Sequence, residues 1–385
     1  MTALRPWESA RLVWWLVLVL IAVVILVVVL FQLRERGEPT RAAERGAHDL
    51  VPSKSDTGGF PPPFPDARPD LSKRADYVEV CGVGRIPSEP EDKFWPEYEE
   101  SGRRLLEKTA PTLAASRNDL DRALALYVTA MLVASRDPPK ESGEPQRVSD
   151  EAFQPLARLA VATRDPEAYA LAFHRCRPFG ACAQLSSAHW AQLEPDNAVP
   201  WLHEADLAQL RNDPAGVDAA LQRASKARKL EPYMGTPLRP LDTAAVRSAP
   251  PLEANAALGF LAGLAAATPF PNLQLVTQYC AQAAKGAAQR KQVCSDLAEV
   301  FAERSTVLLG ITIGAKLGEQ AGWPSERIAP VRARVKALQQ VQTPDQTNPY
   351  SCAALERQRR YFADFARLGE VAAAERAAIA GQQPK

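Results

Sequence analysis

The chain has 385 residues, which suits two or three domains, and carries 33 prolines against 20 glycines. Glycine shows no three-residue period, which excludes a collagen-like rod. With 46 basic against 45 acidic side chains the net charge is +1, which argues against a chain built to neutralise nucleic acid.

Residues 1–11 form a short tail before twenty uncharged residues, Leu12 to Phe31, seventeen of which are Leu, Ile, Val or Phe. At about 1.5 Å per residue this run spans roughly 30 Å, the thickness of one hydrocarbon core. Its insertion is favoured by roughly 5 to 10 kcal/mol. A cleavable signal peptide would carry a shorter apolar stretch ending in a small-x-small site, whereas this one runs into Gln32-Leu33-Arg34-Glu35-Arg36. An uncleaved transmembrane anchor over 12–33 is therefore expected, with the lipid bilayer as its partner.

Arg34, Arg36, Arg41 and Arg45 outnumber Arg5 and Arg11, so the flanking charges lean toward a cytoplasmic C-terminal part. The six cysteines, all beyond the anchor, lean toward an oxidising compartment. Because long domains translocate largely regardless of flanking charge, the expected location is the inner membrane of a bacterial cell envelope, with a periplasmic C-terminal domain. Residues 34–75 are rich in charge, Gly and Pro, include Phe60-Pro61-Pro62-Pro63-Phe64-Pro65, and lack apolar periodicity; they read as a disordered linker.

From residue 76 to 385, apart from a strand candidate at Tyr77-Val78-Glu79-Val80, apolar residues recur at three- and four-residue spacing. Leu120, Ala123, Leu124, Tyr127, Val128, Met131 and Leu132 illustrate it. Asp165-Pro166 and Asp213-Pro214 place a cap before a first-turn proline. Helices are predicted over 94–109, 119–135, 150–163, 166–175, 183–193, 198–211, 214–230, 252–266, 273–285, 289–303, 305–320, 325–341 and 351–379. The expected fold class is all-α: stacked antiparallel helix pairs, α-solenoid-like, after one transmembrane helix.

One pair is more specific. Pro195-Asp196-Asn197-Ala198-Val199-Pro200-Trp201 opens a helix kept slim by Ala205 and Ala208, and Arg211-Asn212-Asp213 turns into a second helix carrying Leu221 and Ala224. Residues 195–228 resemble a degenerate tetratricopeptide repeat, with Glu204 where that family usually has leucine and Val217 where it has a small residue. The resemblance covers about a tenth of the chain. It implies further, drifted repeats, because such units bury their faces only by stacking.

Gly310, Gly314, Gly318 and Gly322 recur every four residues, predicting a glycine ridge along one face of a closely packed helix. Cys176 and Cys182 bracket a seven-residue loop, better read as a local disulfide than as half of a His174, Cys176, Cys182, His189 metal set. Cys280 and Cys294 sit where a helical hairpin would bring them together. Cys81 and Cys352 remain, and joining them would tie the first element of the domain to its last helix.

No catalytic motif emerges. Cys81-Gly82-Val83-Gly84-Arg85-Ile86-Pro87 lacks the third glycine of a dinucleotide loop, and His203-Glu204-Ala205-Asp206-Leu207 lacks the second histidine of a zinc-protease helix. No catalytic, cofactor-binding or metal site is expected. The leading expectation is a scaffold or protein–protein interaction module with a protein or peptide partner, for which Trp190 and Trp201 are candidate contact aromatics. The alternatives are an envelope hydrolase, which requires two carboxylates of perturbed proton affinity in a deep polar pocket, and a ligand carrier, which requires a closed apolar cavity.

Overall fold

The structure, a computed structural model, describes residues 77–87, 94–136, 151–175, 182–283, 288–342, 348 and 350–382. Every described residue belongs to one compact unit, 69–385. The expected tail, anchor over 12–33 and linker over 34–75 lie outside the described residues. Among the described residues no helix is long and apolar enough to cross a membrane.

This unit is predominantly helical, as the periodicity implied. It opens with an antiparallel hairpin, β1 (Tyr77–Val80) and β2 (Gly84–Pro87), pairing Tyr77 with Pro87 and Val80 with Gly84. Gly82 and Gly84 supply the positive φ angles, +80° and +97°, that close the turn. The glycine-bearing segment Cys81–Pro87 is therefore a hairpin turn and second strand, an element the sequence did not reveal. A Cys81–Cys352 disulfide, a Cys81 N–H donated to the Tyr350 carbonyl (3.0 Å) and an Asn348 amide donated to the Glu79 carbonyl (2.9 Å) fix the hairpin to the start of a late helix.

Helices α1 (Phe94–Ala114), α2 (Asp119–Arg136), α3 (Gln154–Ala162), α4 (Pro166–Arg175), α5 (Ser187–Leu193), α6 (Ala198–Leu210) and α7 (Pro214–Ala224) follow, and each packs on its sequence neighbour or the next but one. Their starts obey the expected chemistry. Asp165 Oδ1 accepts from the N–H of Glu167 and Ala168, Ser186 Oγ from His189, Asn197 Oδ1 from Val199 and Asp213 Oδ1 from Gly216. Helix α7 ends at Ala224, six residues short of the predicted 230. Beyond it the chain runs to Glu231-Pro232, where a residue before proline is pushed out of helical conformation. This segment instead hydrogen-bonds sideways: Ala198 N–H to the Lys229 carbonyl (2.9 Å), Leu230 N–H to Arg304 (3.0 Å) and Thr306 N–H to Leu230 (3.1 Å).

A 3-10 helix (Thr236–Asp242), α8 (Ala244–Arg247) and α9 (Pro251–Ala266) return the chain to α1. The α1–α9 interface is among the most extensive. At Gly102 a Cβ would lie 2.5 Å from the Ala256 carbonyl carbon, so the backbones approach too closely for any side chain there. A solenoid unit touches only its neighbours. Here elements about 150 residues apart also pack together, and the stack is closed by a non-local pair. The interior centres on Trp190, Tyr127, Tyr169 and Phe301, each fully buried.

The chain continues through α10 (Leu273–Ala283), α11 (Ala288–Arg304), α12 (Leu308–Ala321), α13 (Ser325–Gln342), α14 (Cys352–Leu368) and α15 (Glu370–Gln382). The Cys280–Cys294 disulfide staples α10 to α11 as a helical hairpin requires, with both side chains fully buried. Gly310, Gly314 and Gly318 form the expected ridge: at Gly314 a Cβ would meet the Ala302 backbone nitrogen at 2.3 Å. Gly322 departs from it. With φ +83° it caps α12 in the left-handed region and continues no ridge. The predicted helix 351–379 is two helices, broken at Gly369 (φ +86°), where the Glu370 carboxylate accepts from the Leu308 N–H (2.8 Å) and Val371 N–H donates to the Thr306 carbonyl (3.0 Å).

Candidate functional site

Among the described residues, an open cleft on the surface and a polar cluster inside are candidate sites. The cleft, about 380 Å³, lies between the α6–α7 turn and the α10–α11 pair. Gln209 and Asn212 line it from one side, Gln278, Tyr279 and Arg290 from the other, and Asp218 crosses between them. Asn212 adopts φ +55°, a left-handed conformation asparagine tolerates, which lets a three-residue turn join the two helices. The Arg290 guanidinium stacks 4.7 Å above the Tyr279 ring and donates from Nη2 to Asp218 at 3.2 Å. Burial and a hydrogen bond to Asp218 push the Tyr279 phenol up to about 12, so it stays protonated as a donor.

The interior cluster lies at the start of α6 and along the segment that follows α7. Asn197, fully buried, saturates its amide: Oδ1 accepts from the N–H of Val199 (3.1 Å) and Glu231 (3.0 Å), and Nδ2 donates to Glu194 Oε2 and the Glu231 carbonyl, each at 2.8 Å. Glu194 also receives the Tyr233 hydroxyl (2.6 Å), the Trp190 indole N–H (3.4 Å) and an ion pair from Lys229. Glu167 accepts from Arg239 at both oxygens (2.7 and 2.8 Å) and from Thr236 (2.8 Å). Tyr233 is held at φ +59°, uncommon for a bulky residue, with its N–H on Glu231 Oε1 at 2.7 Å. Burial pushes the Glu231 carboxyl up to about 7, against the hydrogen bonds from Tyr233 and Thr306 and the Lys229 charge, with Glu167 adding to the rise.

Beside it the rings of Phe173, His174, Trp190 and His203 lie within 5.1–6.3 Å of one another, each touching the other three. His174 Nε2 lies 2.9 Å from the Pro232 carbonyl, which only accepts; this places the proton on Nε2 and leaves Nδ1 bare. Burial pulls His174 down to about 4 and His203 to about 3, so both are neutral near pH 7, and raises Asp206 to about 6. His174 Nδ1, His203 Nε2 and Asp206 Oδ1 are buried without a hydrogen-bond partner among the described residues.

Trp190 is fully buried in this ring cluster, out of reach of any binding partner; it is a core residue, not a contact aromatic. Trp201 is half-buried, donates its indole N–H to the Pro195 carbonyl (3.0 Å) and carries the Arg223 guanidinium 4.9 Å above its ring. Glu204 accepts from the Ser187 hydroxyl, and Val217 is largely buried at the floor of the cleft. Cys182 is disulfide-bonded and buried, while Cys176 lies outside the described residues. His174 and His189 face different surroundings, His189 stacking on Tyr169 at 5.1 Å. Among the described residues no group of three His, Cys, Asp or Glu is placed to hold a metal ion.

The two raised carboxyls, Glu231 and Asp206, are outside the cleft lining. Sequence reasoning assigned no role to these carboxyls, to Glu194 or to Arg290, because part of each environment comes from segments more than 30 residues away, as with Tyr233 on Glu194, Asn272 on Asp206 and Asp218 on Arg290. The one local sign was the Glu231-Pro232-Tyr233 interruption of a helical pattern.

No family model matches the chain, and no curated protein or solved structure matches it significantly.

Proposed function

We propose that the chain is a single-pass protein of a bacterial inner membrane, anchored through 12–33, whose periplasmic helical-repeat domain serves as a protein–protein interaction or scaffold module. The observation that carries the reading is the open cleft between two helix pairs, one forming the repeat-like unit 195–228 and the other stapled by Cys280–Cys294. A rigid frame around an exposed concavity loses little conformational freedom on engaging a partner. The disulfides among the described residues, one spanning 271 residues of sequence, suit an oxidising compartment.

The test is photo-cross-linking in intact cells, with a photoreactive residue placed in turn at Gln278 in the cleft and at Arg357 on α14, combined with thiol labelling before and after reduction. A discrete protein adduct from either position, with the cysteines labelled only after reduction, is expected. Absence of an adduct from both positions refutes the interaction reading. Six cysteines labelled without reductant refute the periplasmic placement.

A further inference from the structure

The lining of the cleft specifies what it holds. Gln209, Asn212, Gln278 and Gln282 are exposed along its walls, and their side-chain amides make no hydrogen bond to the described protein. Each carries a carbonyl acceptor and an NH2 donor in one plane, the same pair a peptide bond presents. The Arg290 guanidinium is held by its stack on Tyr279, a hydrogen bond with the Tyr279 side chain and Nη2 bonds to both Asp218 oxygens, 3.2 and 3.5 Å, and its five N–H donors exceed these bonds.

The charges discriminate against other ligands. Asp213 and Asp218 oppose the single positive charge of Arg290, so the lining carries a net negative charge. A phosphate, a carboxylate or an acidic peptide would meet repulsion there. An α-helical ligand is also poorly matched, because its main-chain amides are already satisfied internally, whereas an extended chain leaves them outward for side-chain amides to read. Between the amides, Val217 and Leu275 offer apolar contact for alternate ligand side chains. The volume, about 380 Å³, stands at the small end of the roughly 300–1,000 Å³ range of ligand sites, which fits a few residues of chain and not a folded surface.

We infer that this cleft binds a short extended peptide, uncharged or basic, through its main chain, with a ligand carbonyl on Arg290 and the four amides along its edges. This rests on the interaction-module reading and gives that module its ligand class.

The experiment uses the full-length protein in detergent with its disulfides intact. The probe is a pool of degenerate, end-capped hexapeptides without acidic residues, carrying a photoreactive tag. A second pool is methylated at alternate backbone nitrogens, and a third contains aspartate. The first pool is expected to label peptides of α10 and α11, with the other two pools at least about tenfold weaker. A Gln209→Ala/Gln278→Ala double variant should lose about tenfold as well, since two hydrogen bonds of roughly 0.5–1.5 kcal/mol each are removed and about 1.4 kcal/mol is a factor of ten. Asn212→Gly removes a third amide while keeping the left-handed turn, so it reports independently if the double variant misfolds.

Equal labelling by the methylated pool, or labelling that maps outside the cleft, overturns the inference. If the partner adduct from Arg357 persists in cells while the peptide pools fail, the module reading stands and this site does not. If no position gives a partner adduct, the module reading itself falls.

Discussion

Replacing Glu231 by Gln tests whether burial controls this side chain. The carboxyl is enclosed by Tyr233, Thr306, Lys229 and Glu167, and its proton affinity rises from 4.5 to about 7. A folded-state value above the unfolded one means that, between about pH 4.5 and 7, the native chain keeps a proton that the unfolded chain has released. The native state therefore binds more protons in that window, and stability falls as pH rises through it. A rise of about 2.5 units at roughly 1.36 kcal/mol each amounts to about 3 kcal/mol lost by pH 8. Glutamine keeps an acceptor for the Tyr233 N–H and never ionises. The difference in unfolding free energy between E231Q and wild type should thus shift toward the variant by about 3 kcal/mol between pH 4.5 and pH 8. Histidines His174 and His203, pulled down by burial, contribute the opposite slope, with stability gained as pH rises from about 3 toward 6.5, but they do so in both proteins and cancel. Urea denaturation of the non-reduced chain at six pH values, followed by tryptophan fluorescence, measures the difference. A gap that stays constant from pH 4.5 to 8 refutes the reasoning.

Further outcomes follow from packing and covalent geometry. Asn197→Ala leaves the N–H of Val199 and Glu231 and the Glu231 carbonyl short of buried partners, and should cost roughly 3 kcal/mol or more in denaturant unfolding. Gly314→Ala drives a methyl into the Ala302 backbone and should destabilise by about 1–3 kcal/mol, whereas Gly259→Ala, mid-helix in α9 with nothing within 4 Å, should stabilise by about 0.5–1 kcal/mol; thermal melts of the pair would show opposite signs. Cys280→Ser/Cys294→Ser opens a fifteen-residue loop and should cost about 3 kcal/mol by chain entropy, seen as a lower denaturation midpoint.

What local chemistry decides is legible in the order of amino acids alone. Cap-proline pairs at Asp165-Pro166 and Asp213-Pro214 fix helix starts because a first-turn residue needs no N–H, and helix 166–175 appears with those bounds. Hairpin spacing brought Cys280 to Cys294, and elimination brought Cys81 to Cys352. The glycine ridge was legible at Gly310, Gly314 and Gly318 because a four-residue period maps onto one helical face.

Tertiary structure alone decided the rest. Whether a glycine continues a helix or caps it depends on backbone φ, and the same residue type that allows close approach also permits the positive φ found at Gly322 and Gly369. Helix α7 stops early because the strand-like segment after it finds partners in Asp196 and Arg304 that no local pattern announces. The α1–α9 closure, the interior fate of Trp190, the raised carboxyl of Glu231 and the amide-lined cleft all arise from contacts between distant segments. Periodicity shows that a face must be buried; which face covers it, and hence which side chains are left outside, is fixed only when the helices assemble.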